Sequence, residues 1–287
     1  MTRWRALVVC ALAACGGEPA ERPLTFGGER LVDLQVPAGF EEGKQYPLVV
    51  VLHGYTINGF LQQAYLGIKS LVDDGEAFVV APTGVYNSEN KPFWNADPAC
   101  CDFEGINPDD VGYLSTLIED IADAWPVDRD AIHLVGHANG GFMAYRLACE
   151  RADLPASIVV IAGAASLDPA ACQPSHPVSV LHLHGTADIE FPFAGGGMFG
   201  GTPDSPGAVA SVSRWAAFDG CDATRTPGPS YDLDSVVDGA ETRTESFGCP
   251  AGLGVDLWSM EGTEHLPGWT TTFTPAVWPW LVEHVRE

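Results

Sequence analysis

Six short apolar runs govern what this chain can fold into. They are "PLVVVLH" (47–53), "AFVVAP" (77–82), "AIHLVG" (131–136), "ASIVVIAG" (156–163), "VSVLHLHG" (178–185) and "GVDLWSM" (254–260). An alternating pattern would leave one face of each strand wet. Continuous Val, Ile and Leu instead imply burial on both faces, as in a parallel sheet covered by helices. Helical stretches fall between the runs. "DDVGYLSTLIEDIADAW" opens on Asp109 and Asp110, which suit a helix N-terminus, and stops at Pro126. "NGGFMAYRLACERA" starts at Asn139, "PGAVASVSRWAAFDG" runs from Pro206 to Gly220, and "TPAVWPWLVEHVRE" closes the chain. The alternation predicts an α/β open sheet, mostly parallel, with helices on both faces. "ERLVDLQVP" (29–37) reads as an edge strand paired with Leu24–Phe26, and 194–207 as a Gly/Pro-rich surface loop.

The first residues do not belong to that sheet. Arg3 and Arg5 precede an apolar stretch, Ala6 to Leu12, which is too short to span a bilayer as a helix of ~20 residues. It ends in Leu12-Ala13-Ala14-Cys15, a sequence that resembles a bacterial lipobox. The expected organisation is a lipoprotein-type signal peptide over 1–15, a tether over 16–28 and one domain over 29–287. Export follows, to the outer membrane through a lipid on Cys15 or into the medium; ordinary secretion with a free Cys15 is the alternative. Of eight cysteines, Cys10 and Cys15 lie in the leader. The remaining six suit disulfides in an exported chain, with 15 possible pairings. Cys221 with Cys249 is the pair expected here, because both lie in one loop-rich segment. Cys100 and Cys101 are adjacent and are expected in two separate bridges.

Acidic residues number 38 against 14 Lys and Arg, for a net charge of −24. Such a surface repels nucleic acid and offers no polybasic membrane patch. A neutral or cationic partner is therefore easier to accommodate. No C-x-x-C or clustered Cys/His spacing suggests a metal, and no cofactor is expected.

The chemistry concentrates in "HLVGHANGGFMAYRLACE" (133–150). A strand-like run ends at Gly136 and a helix-like run begins near Asn139. This is the setting of a nucleophile elbow, G-x-S-x-G, in which small neighbours let strand and helix approach without a Cβ between them. Here Ala138 stands where the serine is expected. The partners follow in the order nucleophile, acid, histidine. Asp188 lies in "LHLHGTAD", after a late strand, and His265 in "EGTEHLPGW", after the last one. An Asp–His hydrogen bond would fix the imidazole tautomer and favour its charged form. "LHGYTING" (52–59) occupies the usual place of an oxyanion hole, with the backbone N–H groups of Tyr55 and Asn139 as candidate donors. Read blandly, Asp188 is a turn residue, His265 a solvated loop histidine, and His53 the structural lining of a glycine turn.

Several stretches together resemble the secreted polyhydroxybutyrate-depolymerase-like and feruloyl-esterase-like α/β hydrolases. They are "LVVVLHGY", "FWNADPACCDF", "DDVGYL", "GHANGGFMAYRLACE", "VLHLHGTAD" and "EGTEHLPGW", and the resemblance runs from about residue 30 to the C-terminus. It implies carboxylic-ester hydrolysis through an acyl-enzyme, with a neutral ester or polyester as substrate or ligand and serine at the position of Ala138. Trp94 and Trp269 flank the segments that match the family's active site and form a candidate apolar platform for substrate, with core packing as the alternative. Trp278 and Trp280 are expected to pack. Asp109-Asp110 reads as a helix cap rather than a calcium site, and His182 and His184 as structural.

Alanine offers no nucleophile and nothing for His265 to deprotonate. Losing the nucleophile of a serine hydrolase costs on the order of a millionfold in turnover. The chain as written is therefore expected to be inactive or strongly impaired by that route. Three readings are open at this level: a pseudoenzyme that binds esters at a cell surface, His265 acting as general base on a water, or a serine replaced by design. Thr56, Ser157 and Ser166 do not lie on the elbow and are poor substitutes.

Overall fold

The computed structural model describes residues 22–201 and 203–286; the expected leader, and the tether as far as residue 21, lie outside them. The central sheet has eight strands: β1 (Tyr46–Leu52), β2 (Phe78–Val80), β3 (Val127–His137), β4 (Ser157–Ile161), β5 (Ser179–Gly185), β6 (Arg225–Tyr231), β7 (Thr242–Phe247) and β8 (Val255–Met260). Their spatial order is β6–β7–β8–β5–β4–β3–β1–β2. From β8 to β2 every pairing is parallel. β7 runs antiparallel to both β6 and β8. All six apolar runs are strands of the parallel part.

Both faces of that part are covered, which is why its strands are apolar throughout. On one face Leu48, Val50 and Leu52 pack with Leu114 and Ile118 of α3 (Asp110–Ala124) and Phe142 of α4 (Asn139–Glu150). On the other, Val49 and Val51 pack with Leu66 of α1 (Gly59–Leu66) and with Phe273 and Val277 of α6 (Phe273–Glu283). Each buried Val, Leu or Phe is worth ~1.5–3 kcal/mol of transfer free energy. Two further helices, α2 (Lys69–Asp73) and α5 (Ala208–Phe218), complete the layers. Trp280 is buried in the second cluster and Trp278 packs against it.

The hairpin β6–β7 was not apparent as strands, because "RTPGPSY" carries two prolines and one glycine and faces solvent. Proline is tolerated there because the strand is an edge, and the register slips between Pro227 and Ser230. At the opposite edge the 29–37 segment is only partly a strand. Val32–Asp33 pairs with Thr25–Phe26, and Gln35 bridges Val79 of β2, closing that edge.

Cys221 and Cys249 are bonded, as expected, and Cys149 pairs with Cys172. Cys100 and Cys101 are bonded to each other, so the expectation of two separate bridges is corrected. Asp109 caps α3 by accepting the Gly112 N–H at 2.8 Å. Asp110 turns inward instead, accepting the Asn95 N–H at 2.7 Å and pairing with Arg30, and so ties the 92–97 segment to α3.

Candidate active site

β3 lies in the middle of the parallel sheet, and its last residues carry the chain to the elbow. A Cβ on Gly136 would sit 2.1 Å from the Gly140 carbonyl, and one on Gly140 would sit 2.1 Å from that of Leu52. Only glycine permits the strand, the turn and α4 to close this tightly. Ala138 sits at the apex with φ 51° and ψ −120°, a conformation costly for a residue with a Cβ. Its N–H donates to Ile161 at 2.8 Å and its carbonyl accepts from Gly141 at 2.8 Å, so the backbone is locked.

Asp188 and His265 come together from the loops after β5 and β8. His265 Nδ1 lies 2.7 Å from Asp188 Oδ2. Asp188 Oδ1 accepts two further bonds, from the Glu190 and Phe191 N–H groups at 2.8 and 2.9 Å. Burial opposes the charge of Asp188, but hydrogen bonds from His184 and His265 outweigh it and hold the carboxyl well below the usual range. His137 approaches from β3, its ring centroid 5.1 Å from that of His265. Burial, with His265 beside it, pushes the His137 imidazole down to about 3. It is therefore neutral, and its Nε2–H donates to the His265 carbonyl at 3.0 Å. Glu190 places a carboxylate oxygen 3.7 Å from His265 Nε2.

The β1–α1 loop lies over the elbow. A Cβ on Gly54 would meet that of Ala138 at 3.4 Å. His53 braces this loop as a structural residue: Nδ1 donates to the Gly54 carbonyl at 2.8 Å, and Nε2 accepts the Gly84 N–H at 2.9 Å. Burial lowers its imidazole to about 4, against the pull of that carbonyl. The backbone N–H groups of Tyr55 and Asn139 have no hydrogen-bond partner among the described residues. Both are therefore free to serve a carbonyl oxygen. The Asn139 side chain is occupied, exchanging two hydrogen bonds with the Trp94 backbone at 2.7 and 3.0 Å.

That contact corrects the expected platform. Trp94 is fully enclosed, tilted over the His53 ring at 4.9 Å and donating to its carbonyl at 3.1 Å. It braces the elbow and offers no surface to a ligand. Trp269 is half-buried on the other face of the sheet, 4.2 Å from Phe273 by ring centroids, and lines a cavity of about 500 Å³ with Tyr65. A second cavity, of about 510 Å³, opens along α4 between Asn95, Asp97, Phe142, Tyr145, Arg146 and Arg214. Neither cavity is lined by Ala138 or His265. The hydroxyls rejected as substitutes for serine lie off the elbow: Ser157 is buried in β4 against His133, and Ser166 lines the α4 cavity. His137 and Glu190 carried no sequence signal beyond their neighbours' motifs, and His184 was expected only as a structural residue.

The family model "Esterase" (described as "Putative esterase") matches residues 24–226, most of the sheet with the elbow and Asp188. The chain belongs to the esterase family. Feruloyl esterase C of Emericella nidulans is 27% identical over 246 residues, covering 82% of this chain and 77% of that protein. Feruloyl esterase D of Neurospora crassa is 24% identical over 253 residues, covering 84% and 75%. Among solved structures, the acetyl xylan esterase from Aspergillus awamori superposes with a TM-score of 0.61 at 13% identity, covering 88% of this esterase-family chain and 94% of that one. At that identity the likeness speaks for the fold, which is that of the α/β-hydrolase esterases.

Proposed function

We propose that this chain is an exported member of the esterase family disarmed at its nucleophile: it holds an ester at the elbow and forms no acyl-enzyme. One observation carries the reading. Ala138 sits at the apex of a closed elbow while Asp188 and His265 remain bonded at 2.7 Å. With a hydroxyl at 138, His265 would take its proton, and the Tyr55 and Asn139 N–H groups would receive the oxyanion. Without it, polarisation and binding alone leave a residual ~10³–10⁴ over water. The names of the relatives make feruloyl and acetylated plant-wall esters the first ligands to test. The resemblance to polyhydroxybutyrate depolymerases adds aliphatic polyesters. Export, with a lipid on Cys15 and the tether leading into a single domain, is supported by the leader sequence and by the bonded cysteines.

The test compares the chain as it stands with Ala138→Ser on a short-chain nitrophenyl ester. Turnover is expected only from the serine variant, higher by ~10⁴-fold or more. The unaltered chain should bind a feruloyl ester saturably and release no product. Hydrolysis by the unaltered chain at enzymatic rates would overturn the proposal.

A further inference from the structure

Asp188 has a second imidazole neighbour, and that neighbour begins a buried chain. His184 Nε2 lies 2.8 Å from the Phe191 carbonyl and 3.4 Å from Asp188 Oδ2. His184 Nδ1 lies 3.1 Å from His182 Nε2, and the two rings stack within 9° of parallel. His182 Nδ1 lies 2.9 Å from the Tyr145 hydroxyl. All four side chains are buried. Tyr145 stands on α4 and lines the 510 Å³ cavity, so the chain runs from that cavity's wall to the Asp188–His265 pair.

The hydrogens in this chain can be placed from its two ends. At one end, both neighbours of His184 Nε2 are acceptors only, a carbonyl and a carboxylate, so that nitrogen must carry a hydrogen. At the other, His182 Nδ1 is the one partner of the Tyr145 hydroxyl among the described residues. A buried hydroxyl that does not donate forfeits a hydrogen bond, so Tyr145 donates and His182 Nδ1 accepts. Burial, with His184 beside it, keeps His182 neutral, so its single hydrogen is on Nε2 and points at His184 Nδ1. The two ends agree. The reversed arrangement would strand the tyrosine hydrogen in the core.

We propose that Tyr145, His182 and His184 form a one-directional donor relay whose last N–H is taken by the Phe191 carbonyl, with Asp188 Oδ2 3.4 Å away, which makes all three positioning residues for the acid of the dyad. No proton moves along the relay. Its effect is to polarise each bond toward Phe191, to hold the 190–191 backbone whose N–H groups donate to Asp188, and to keep the His184 ring edge beside the carboxylate. His265 then meets a carboxylate fixed from behind, in the way an orienting partner fixes a catalytic or metal-binding imidazole. The groups facing the relay are few. Arg214 of α5 acts on Tyr145, while His137 of β3, His184 and His265 act on Asp188, and Glu190 faces His265 from the far side.

The catalytic importance of the relay rests on the esterase reading above, but its existence does not, and the test separates the two. Long-range ¹H–¹⁵N spectra of the unaltered chain, labelled at histidine, report which ring nitrogen of each imidazole is protonated. His182 and His184 are expected as single Nε2–H tautomers at neutral pH. Tyr145→Phe removes the donor to His182 Nδ1 and should shift that nitrogen's resonance, with a smaller shift at His184 Nδ1, while both rings stay Nε2–H because His184 Nε2 faces only acceptors. In the Ala138→Ser background the same change should lower kcat about three- to tenfold, one hydrogen bond's worth, with KM unchanged. The relay is overturned if His184 appears as Nδ1–H or doubly protonated, or if Tyr145→Phe leaves the His182 Nδ1 resonance unmoved. Expected tautomers beside an inactive serine variant would sink the esterase reading and leave the relay standing.

Discussion

Asp188 and Asp219 are both closed to solvent, at 4% and 5% exposure, and their environments push them in opposite directions. Asp188 receives two backbone N–H groups and the His265 ring on its two oxygens, with His184 alongside. Asp219, at the end of α5, receives one N–H, from Val178 at 3.3 Å, and its other oxygen has no partner among the described residues. Burial, barely opposed by that N–H, pushes Asp219 up to about 7. Depth is common to both, so the number of donors decides the charge. The donor set of Asp188 is what a triad acid requires, and a chain with no hydroxyl at 138 carries it intact.

Asn in place of Asp separates the two sites. In the Ala138→Ser background, Asp188→Asn is expected to lower kcat by ~10⁴-fold, because the amide no longer enforces the productive His265 tautomer. Asp219→Asn should leave kcat alone, as measured on the same nitrophenyl ester. Equal losses at both would mean that Asp188 acts through stability and would break the distinction.

Much of this was legible beforehand, for a physical reason. A strand buried on both faces must be apolar throughout, so the six parallel strands announced themselves, and the glycines at 136 and 140 announced the elbow. The hairpin β6–β7 did not, because an exposed edge strand is free to be polar and to hold Pro227 and Pro229. α1 was also missed: it is eight residues long and is defined by Asn58 and Gly67 at its ends more than by a periodic face. At the site, the positions of Ala138, Asp188 and His265 followed from motif order. The burial of Trp94 did not, since nothing local says that the Asn139 side chain will take its backbone. The same holds for the relay behind Asp188, which exists only once β5 brings His182 against Tyr145 of α4.

Removing the bond between Cys221 and Cys249 tests how the Asp219 corner is held. Their separation of 28 residues gives about 3–4 kcal/mol from lost chain entropy. The double serine variant should lose that much in urea unfolding and keep its Asp188 geometry. Asp219 itself is a pH effect. Its folded pKa lies above the ordinary carboxylate value, so the unfolded chain releases this proton first and stability falls between about pH 4 and 7. The neutral buried histidines His53, His133 and His137 act the other way below their ordinary value of about 6.5. The Asp188 contribution is present above about pH 4 and lost on further acidification. The Asp219 term therefore emerges as a difference: Asp219→Asn should gain roughly 2–4 kcal/mol over the parent from pH 4 to 8. A gap that does not widen with pH would show Asp219 to be charged in the fold.

The smallest expected effect is at Asn58, where the same chemistry appears without burial. Its side-chain oxygen accepts the Leu61 N–H at 2.9 Å and starts α1 just beyond the Tyr55 loop, as Asp188 accepts the N–H groups of Glu190 and Phe191. Asn58→Asp converts it into an exposed copy of that half of Asp188. Asn and Asp cap equally well, and a negative charge at a helix N-terminus adds a few tenths of a kcal/mol in water. Thermal unfolding should therefore rise slightly, by about 0.5 kcal/mol or less, and the gain should fade in high salt. Asn58→Ala should cost about 1 kcal/mol, since the Leu61 N–H then turns to water. A large effect of Asn58→Asp would mean that charge matters at this end of the site as much as it does around Asp188, and that the Tyr55 loop is held electrostatically and not by its turn.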